Sequence, residues 1–294
     1  HYTLAQDKQF TYLTNFQSFF FNIAMLGRWT VKLLSPFTPE KRPMDNMELT
    51  LTKPQEEEQV LSNMTYTAGV NSFYFPRNRS YFYKYNLFEG ISDKEYRVWQ
   101  KAYNYVLQGI SIMGDHKRLL IKNPNNTARA KHLLKMYPNA KFVFIHRNPF
   151  NVYLSTLHLA RVVQSGQRLQ EISDQEQEDI VFENYRLIMQ GYLESRQYIP
   201  EERLVEVAYD EMNELTTFET IYRALDLGDW AAVGPRIASY LDSKKGYKKN
   251  KFVPIPPQTV ARIQREWKFA FDAFGYDLEY KDPSLSEQPS RALK

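Results

Sequence analysis

The sequence predicts an α/β fold in a single domain, and three observations lead to this prediction. Short apolar runs at 118–121, 141–145 and 204–207 have the length and composition of buried strands. Longer segments of helical periodicity separate these runs, which predicts parallel pairing through right-handed crossovers. Hydrophobic residues make up 43% of the 294 residues, without a repeat or low-complexity linker, so one folded domain over 1–294 is expected.

Apolar residues at helical spacing predict the remaining elements along the chain. Helices are expected at 1–36 with a break at 11–14, then at 52–63, 92–113, 127–136, 150–163, 175–197 and 211–226. Thr52 and Ser92 have the pattern of helix-capping residues. Glu56, Glu57 and Glu58 are then predicted to lie in the first turn of the helix that Thr52 opens.

The composition excludes several kinds of site and partner. The chain contains no cysteine, which excludes disulfides, thiolate metal sites and cysteine nucleophiles, and its five histidines show no metal-ligand spacing. A formal net charge of +4 is too small to indicate a nucleic-acid-binding protein, so any anion must bind to a local cluster of charge. No apolar run reaches the roughly 18 residues of a membrane span. We therefore expect a metal-free, cytoplasmic protein.

Three polar side chains lie at or just after the carboxyl ends of predicted strands, namely Lys122, Arg147 and Tyr209. Ligands of open parallel sheets bind at these ends. Ser155 lies early in the helix after Arg147, and an arginine fork, a hydroxyl and a helix N-terminus together form a phosphate receptor. Lys122 lies where a cation can stabilise a leaving oxygen. For each charged residue, a solvated or paired surface charge is the alternative interpretation.

A lysine-rich loop follows towards the C-terminal end of the chain. Residues 244–250 contain four lysines around a glycine, including Lys244, Lys245 and Gly246. The glycine permits close approach of the backbone to an anion, whereas a solvated face is the alternative. Three separate anion signals in one α/β domain favour an anionic ligand.

The motifs around these residues resemble the pattern of the sulfotransferase family. Residues 122–127 read KNPNNT, residues 137–149 read YPNAKFVFIHRNP, and Ser155 follows. Their order and spacing match the family pattern KSPxHT…FPxAKFIxxxRDPxxVxxS. The similarity covers most of the chain, and 118–155 is its most specific part. Further similar segments lie at 207–212, at 244–250 and, for the bacterial branch of the family, at 41–59.

The resemblance implies a P-loop-like three-layer fold, in which helices flank a central parallel sheet. It also implies that 3′-phosphoadenosine 5′-phosphosulfate (PAPS) is the donor, without a metal, and that 3′-phosphoadenosine 5′-phosphate (PAP) is the product. Lys122 matches the catalytic lysine of the family. The donor-binding residues that the resemblance implies are Arg147 and Ser155 at the 3′-phosphate, Tyr209 near the adenine, and Lys244, Lys245 and Gly246 closing over the phosphate.

Two departures from the family pattern affect these expectations. The phosphosulfate-binding loop PRSGTT is absent, and residues 1–7 resemble the helix that follows it. We therefore expect the given sequence to begin just downstream of that loop, with weak or no activity by itself. Pro124 and Asn126 stand where relatives have a histidine, and neither side chain can accept a proton.

Another residue must then serve as the general base. Glu57 and Asp45 are the predicted candidates, from a proline-rich acidic block that also contains Glu58. The alternative role for the glutamates is stabilisation of the helix dipole, and Asp45 has the alternative role of a turn residue in the loop. His116 and His158 are further candidates, although such histidines more commonly lie at the surface or pack against neighbours.

Aromatic segments indicate a small-molecule acceptor of apolar character. The lipophilic segment 19–34 is predicted to be a buried helix or part of an apolar pocket, and the aromatic residues at 73–76 and 81–83 are candidates for the pocket wall. An alcohol, sterol, lipid or phenol is therefore the expected acceptor. Two alternatives stay open. A P-loop kinase would require a GxxxxGKS/T loop and magnesium ligands, which the sequence does not show; the other alternative is a non-catalytic nucleotide-binding or scaffold protein.

Overall fold

The structure is a computed structural model that describes residues 1–27, 51–246 and 252–282. Its strands are β1 (Phe10–Thr11), β2 (Arg118–Leu119), β3 (Phe142–His146) and β4 (Leu204–Ala208). Its helices are α1 (Asn15–Phe19), α2 (Phe21–Ala24), α3 (Glu58–Met64), α4 (Asn71–Tyr74), α5 (Arg79–Leu87), α6 (Asp93–Met113), α7 (Ala130–Met136), α8 (Pro149–Val162), α9 (Asp174–Arg196), α10 (Leu215–Ala224), α11 (Trp230–Asp242), α12 (Pro257–Glu266) and α13 (Lys268–Phe274).

The strands pair in parallel, in two separate pairs within the described part of the chain. β3 lies beside β4 with His146 opposite Ala208, and β1 lies beside β2. The three predicted strands are confirmed in position, although β2 ends at Leu119 and is shorter than expected. Because β3 and β4 end in register, the residues that follow them are neighbours at one edge.

Within residues 1–27, the helix predicted before the break is wrong, whereas the break at 11–14 and the helical character after it are confirmed. This segment contains a short 3-10 turn, β1, α1 and α2. Thr14 caps α1 in a capping box, so a new helix begins there and does not continue from an earlier one. Phe19 is 61% exposed and Leu26 is 70% exposed, whereas Phe21 and Ala24 are buried, so the expected burial is confirmed at only some positions of this part. The remainder of the segment 19–34 lies outside the described residues.

The helix predicted from Thr52 begins later, at Glu58. The preceding chain pairs with the N-terminal segment instead, because the Gln55 N–H donates a hydrogen bond to the Leu13 carbonyl at 2.8 Å. Glu57 and Glu58 are consequently buried at the start of α3. The first-turn position predicted for these glutamates is therefore confirmed for Glu58, whereas Glu56 and Glu57 precede the helix.

The other predicted helices are confirmed with small shifts at their ends, and Ser92 caps α6 in the expected capping box. Three buried clusters hold the elements together. The first packs α6 against α3 and β2, the second packs α8 and α9 against α12, and the third packs β4 against α10 and α11. These clusters fix the helices around the strands whose ends carry the predicted site residues.

Candidate active site

Arg147 and Tyr209 meet at the end of the β3–β4 pair. Arg147 follows β3 and Tyr209 follows β4, so the parallel register places them side by side. The guanidinium carbon of Arg147 lies 4.4 Å from the centroid of the Tyr209 ring. The Arg147 Nε–H is buried and has no hydrogen-bond partner among the described residues. A stacked guanidinium keeps its edge available for bidentate contact with an anion, and a phosphate oxygen would satisfy this buried donor.

Ser155 lies two turns into α8 and is half-buried. Its hydroxyl donates to the carbonyls of Asn151 at 2.9 Å and Val152 at 3.1 Å, within its own helix. These are the local backbone bonds that a helical serine makes in the absence of another acceptor. The predicted contact of Ser155 with a 3′-phosphate therefore stays a prediction, and it requires rotation of the hydroxyl about χ1.

Lys244, Lys245 and Gly246 follow α11 and are exposed. The Lys244 Nζ lies 5.5 Å from the ring centroid of Tyr240, and the Lys245 Nζ lies 2.7 Å from the Asp242 carboxylate. Both described contacts are to residues of the preceding helix. Closure of this loop over a phosphate stays a prediction.

Lys122 follows β2 and lies in an ion pair with Glu56. Its Nζ donates to Glu56 Oε1. The Lys122 side chain is 53% exposed and that of Glu56 is 25% exposed, so a ligand can reach both groups. The predicted catalytic lysine therefore has an acidic neighbour that local sequence patterns do not identify.

Glu57 is buried directly beside this pair. Its Oε1 accepts hydrogen bonds from the Asn126 side-chain amide at 2.7 Å, from the Asn123 side-chain amide at 3.1 Å, and from the Tyr103 hydroxyl at 3.1 Å. Its Oε2 is also buried and has no partner in the described ranges. Burial, together with the adjacent charge of Glu58, raises the pKa of Glu57 to about 7.

The other predicted bases occupy different surroundings. Asp45 lies outside the described residues. His116 is exposed in the turn after α6, and the His158 ring lies 5.7 Å from the ring of Phe252. The described contacts join neither histidine to Lys122, and a role as the base stays a prediction for all three.

A fully buried ion pair between Arg129 and Glu58 lies next to this cluster. Arg129 Nη1 and Nη2 donate to Glu58 Oε2 at 2.7 Å and Oε1 at 3.0 Å, and Arg129 Nε donates to the Tyr85 carbonyl at 3.0 Å. Burial acts to raise the pKa of Glu58, but the charge and hydrogen bonds of Arg129 hold it below its usual range. Asn123 joins the two glutamates, since its amide also donates to Glu58 Oε2 at 2.7 Å.

The sequence prediction misses four members of this cluster. For Asn123, a usable signal exists in the run Asn-Pro-Asn-Asn after the predicted strand, a pattern that ends the strand and presents side-chain amides at its end. Arg129 and Tyr103 carry no such signal, because each lies within an ordinary helical pattern. The missed residues are Glu56, Tyr103, Asn123 and Arg129.

The raised pKa of Glu57 has a consequence for stability. The unfolded chain loses this proton near the ordinary value of 4.5, whereas the folded chain retains it to about 7. Stability from this group is therefore greatest at low pH and falls between about 4.5 and 7, by about 3 kcal/mol. We expect the free energy of unfolding of Glu57→Gln, relative to wild type, to rise by this amount from pH 4.5 to pH 7.5, as measured by urea unfolding.

Glu95 provides a control for this measurement. It is partly exposed, and its hydrogen bond with Lys84 and its capping bonds lower its pKa to about 2. Since Glu95 titrates below the window tested, Glu95→Gln should shift the unfolding free energy by the same amount at each pH from 5 to 7.5. A constant offset for Glu57→Gln as well would show that Glu57 is ionised in the fold throughout this range.

Comparison with known proteins decides the family. Residues 3–232 match the profile of a family described as "Sulfotransferase family". The chain belongs to this sulfotransferase family. This match confirms the enzyme class predicted from the motifs, which is a sulfotransferase. The alternative prediction of a P-loop kinase is rejected.

Curated relatives of this sulfotransferase come from mycobacteria. The chain is 27% identical over 286 residues to the omega-hydroxy-beta-dihydromenaquinone-9 sulfotransferase Stf3 of Mycobacterium bovis, a match that covers 97% of this chain and 73% of the relative. The protein of the same name from Mycobacterium tuberculosis matches with the same identity and coverage.

Solved structures confirm the predicted fold class of the sulfotransferase. The sulfotransferase STF9 from Mycobacterium avium superposes with a TM-score of 0.70 at 21% identity, over 95% of this chain and 74% of that one. STF1 from Mycobacterium tuberculosis superposes with a TM-score of 0.62 at 16% identity, over 82% of this chain and 67% of that one. The helix-rich α/β architecture with parallel strands is shared.

Two further observations apply to the ranges that the structure describes. Among the helices of 1–27, 51–246 and 252–282, none is long and apolar enough to cross a bilayer. The same three ranges contain no cluster of histidine, aspartate and glutamate side chains placed to hold a metal ion.

Proposed function

We propose that this sulfotransferase transfers a sulfuryl group from PAPS to the hydroxyl group of an apolar small molecule. The observation that carries the donor assignment is the Arg147 guanidinium, stacked on Tyr209 at the end of the strand pair with its buried Nε–H unpartnered. A buried donor of this kind favours an anionic ligand such as the 3′-phosphate of PAPS.

In this proposal, Lys122 and Arg147 contact different parts of the donor molecule. PAPS supplies the sulfuryl group, and its 5′-phosphate leaves as the phosphate of PAP. Lys122 donates a hydrogen bond and positive charge to the departing oxygen, while Arg147 and Ser155 hold the 3′-phosphate. Such a transfer depends mainly on positioning and charge stabilisation. Tyr209 then orients Arg147 beneath the adenosine, and Lys244, Lys245 and Gly246 cover the phosphate.

The acceptor in this proposal is a hydroxylated lipid or a similar apolar alcohol or phenol. Aromatic side chains around α4 and α5 are partly exposed, with Tyr66 at 51%, Phe75 at 36% and Tyr81 at 43%. Helix α5, which carries Tyr81, contacts the site, because the Tyr85 carbonyl accepts from Arg129. Aromatic surfaces of this kind suit an apolar ligand with one polar end. The relatives named as sulfotransferases of a hydroxylated menaquinone support the same choice.

Removal of Arg147 tests the donor assignment. Arg147→Ala is expected to weaken binding of PAP by about 10- to 100-fold, the effect of losing a charged hydrogen-bonding group from an anion site. Isothermal titration calorimetry with PAP measures this, and thermal unfolding checks that the fold is retained.

Arg196 supplies the matched control for that variant. It also lies over an aromatic ring, Phe274, but pairs with Glu206 at 3.1 Å. Arg196→Ala should leave the affinity for PAP unchanged. Unchanged affinity in Arg147→Ala would contradict the role of Arg147 at the 3′-phosphate.

A further inference from the structure

Three consecutive glutamates at the start of α3 have three different partners. Glu58 is committed to Arg129, and Glu57 accepts from two asparagine amides and a tyrosine hydroxyl. Glu56 contacts the Nζ of Lys122. Of these three carboxylates, the one that combines contact with Lys122 and exposure to solvent is Glu56.

The surroundings of Glu57 argue against direct contact with an acceptor. The Oε1 atom of Glu57 is surrounded by three donors, and its Oε2 atom is buried. An acceptor hydroxyl would have to displace Asn126 or open the core to reach either oxygen. A general base must come within hydrogen-bond distance of the proton that it removes. Glu57 therefore suits a role in holding Asn123 and Asn126 in place.

Glu56 meets the geometric requirement that Glu57 does not. Its backbone is fixed, because it lies next to the buried Glu57 and its own N–H donates to Gln55 Oε1 at 2.9 Å. Its side chain projects to the group that, in the proposed function, stabilises the leaving oxygen. A carboxylate beside the Lys122 Nζ would lie near the sulfuryl group whose departing oxygen Lys122 contacts in the proposed function. Exposed ion pairs contribute little net stability, so the pair can open at small cost.

We propose that Glu56 is the general base of the transfer, and that its ion pair with Lys122 opens when the donor binds. This inference rests on the proposed function. The anionic phosphosulfate takes over the Lys122 Nζ, which releases the Glu56 carboxylate. The acceptor oxygen then forms a bond to sulfur as the bond from sulfur to the phosphate oxygen breaks. The acceptor proton passes to Glu56 and from there to solvent, so that a sulfate ester, PAP and a proton are the products.

The experiment uses the full-length protein with two acceptors of different acidity, the primary alcohol farnesol and p-nitrophenol. Glu56→Gln should lower kcat with farnesol by about 10²- to 10⁴-fold, the usual contribution of a positioned base. The loss with p-nitrophenol should be far smaller, because this phenol is much more acidic than an alcohol, is partly ionised at neutral pH and depends little on a base. A residue with a purely structural role would reduce both reactions alike.

Binding of PAP provides a second readout that does not depend on any acceptor. Because Glu56→Gln frees the Lys122 Nζ, its affinity for PAP should be equal to that of wild type or up to about fivefold tighter. Glu194→Gln is the matched control, since it removes an exposed pair with Lys131, at 2.5 Å, away from the site. That control should change neither turnover nor affinity.

The outcomes separate the two proposals. If wild type neither binds PAP nor transfers a sulfuryl group from PAPS, the proposed function fails. If wild type is active and Glu56→Gln retains full turnover with farnesol, or loses both reactions equally, the assignment of the base is overturned. A selective loss in Asp45→Asn with Glu56→Gln unaffected would overturn it as well, in favour of Asp45.

Discussion

Replacing Arg129 by leucine is expected to lower the free energy of unfolding by about 3–5 kcal/mol. The Arg129 side chain has no exposed surface, and its fork holds Glu58 through two hydrogen bonds. Without it, the Glu58 carboxylate is buried with no compensating charge, and the Tyr85 carbonyl and the Asn86 side chain each lose a donor. Urea unfolding at pH 7, followed by circular dichroism, measures the change.

Two comparisons identify the cause of that loss. Arg223→Leu removes an exposed ion pair with Glu219 and should cost no more than about 1 kcal/mol. Adding Glu58→Gln to Arg129→Leu should recover part of the stability, because the uncompensated charge is then absent. If Arg129→Leu costs no more than Arg223→Leu, then Glu58 is not held as a buried anion.

The positions of Arg147 and Tyr209 could be predicted from the sequence by general rules. Each residue follows an apolar run of strand length, and the helical segments between the strands predict parallel pairing. Parallel strands of one sheet end at the same edge, so both side chains were expected at that edge; their direct contact depends on the pairing of β3 with β4. The observed register, with His146 opposite Ala208, satisfies this expectation.

The surroundings of Glu57 and Glu58 could not be predicted by such rules. Locally, the sequence favours a capped helix from Thr52 with its acids in the first turn. The competing interactions are long-range, since Arg129 lies 71 positions from Glu58 and Asn126 lies 69 positions from Glu57. No local pattern encodes these partners, which pair the Glu58 carboxylate and satisfy one oxygen of Glu57 within the core.

β1 was missed for a different reason. It consists of Phe10 and Thr11 alone, which is too short to display the alternation of a strand. Its pairing with β2, and the Leu120 N–H bond to the Thr11 carbonyl at 2.8 Å, depend on the partner strand more than on its own residues. Short strands of this kind become visible only when the tertiary structure is known.

Replacing Lys122 by alanine is expected to lower kcat by about 10²- to 10³-fold in the full-length protein, the effect of removing one group that stabilises developing charge. The affinity for PAP should fall by no more than about fivefold, because the exposed lysine contributes little to ground-state binding. Steady-state kinetics with PAPS, combined with calorimetry of PAP binding, separate the two effects. Lys131→Ala removes another lysine paired with a glutamate and should leave both quantities unchanged.

The same two acceptors distinguish Lys122 from Glu56. The leaving group is PAP whichever acceptor is used, so Lys122→Ala should reduce turnover with farnesol and with p-nitrophenol to the same extent. Glu56→Gln should affect mainly the alcohol, because only that reaction requires removal of a tightly held proton. Equal losses of turnover and PAP affinity in Lys122→Ala would instead make Lys122 a binding residue. In that case Lys122 would hold the donor and would not stabilise the leaving oxygen, contrary to the proposal.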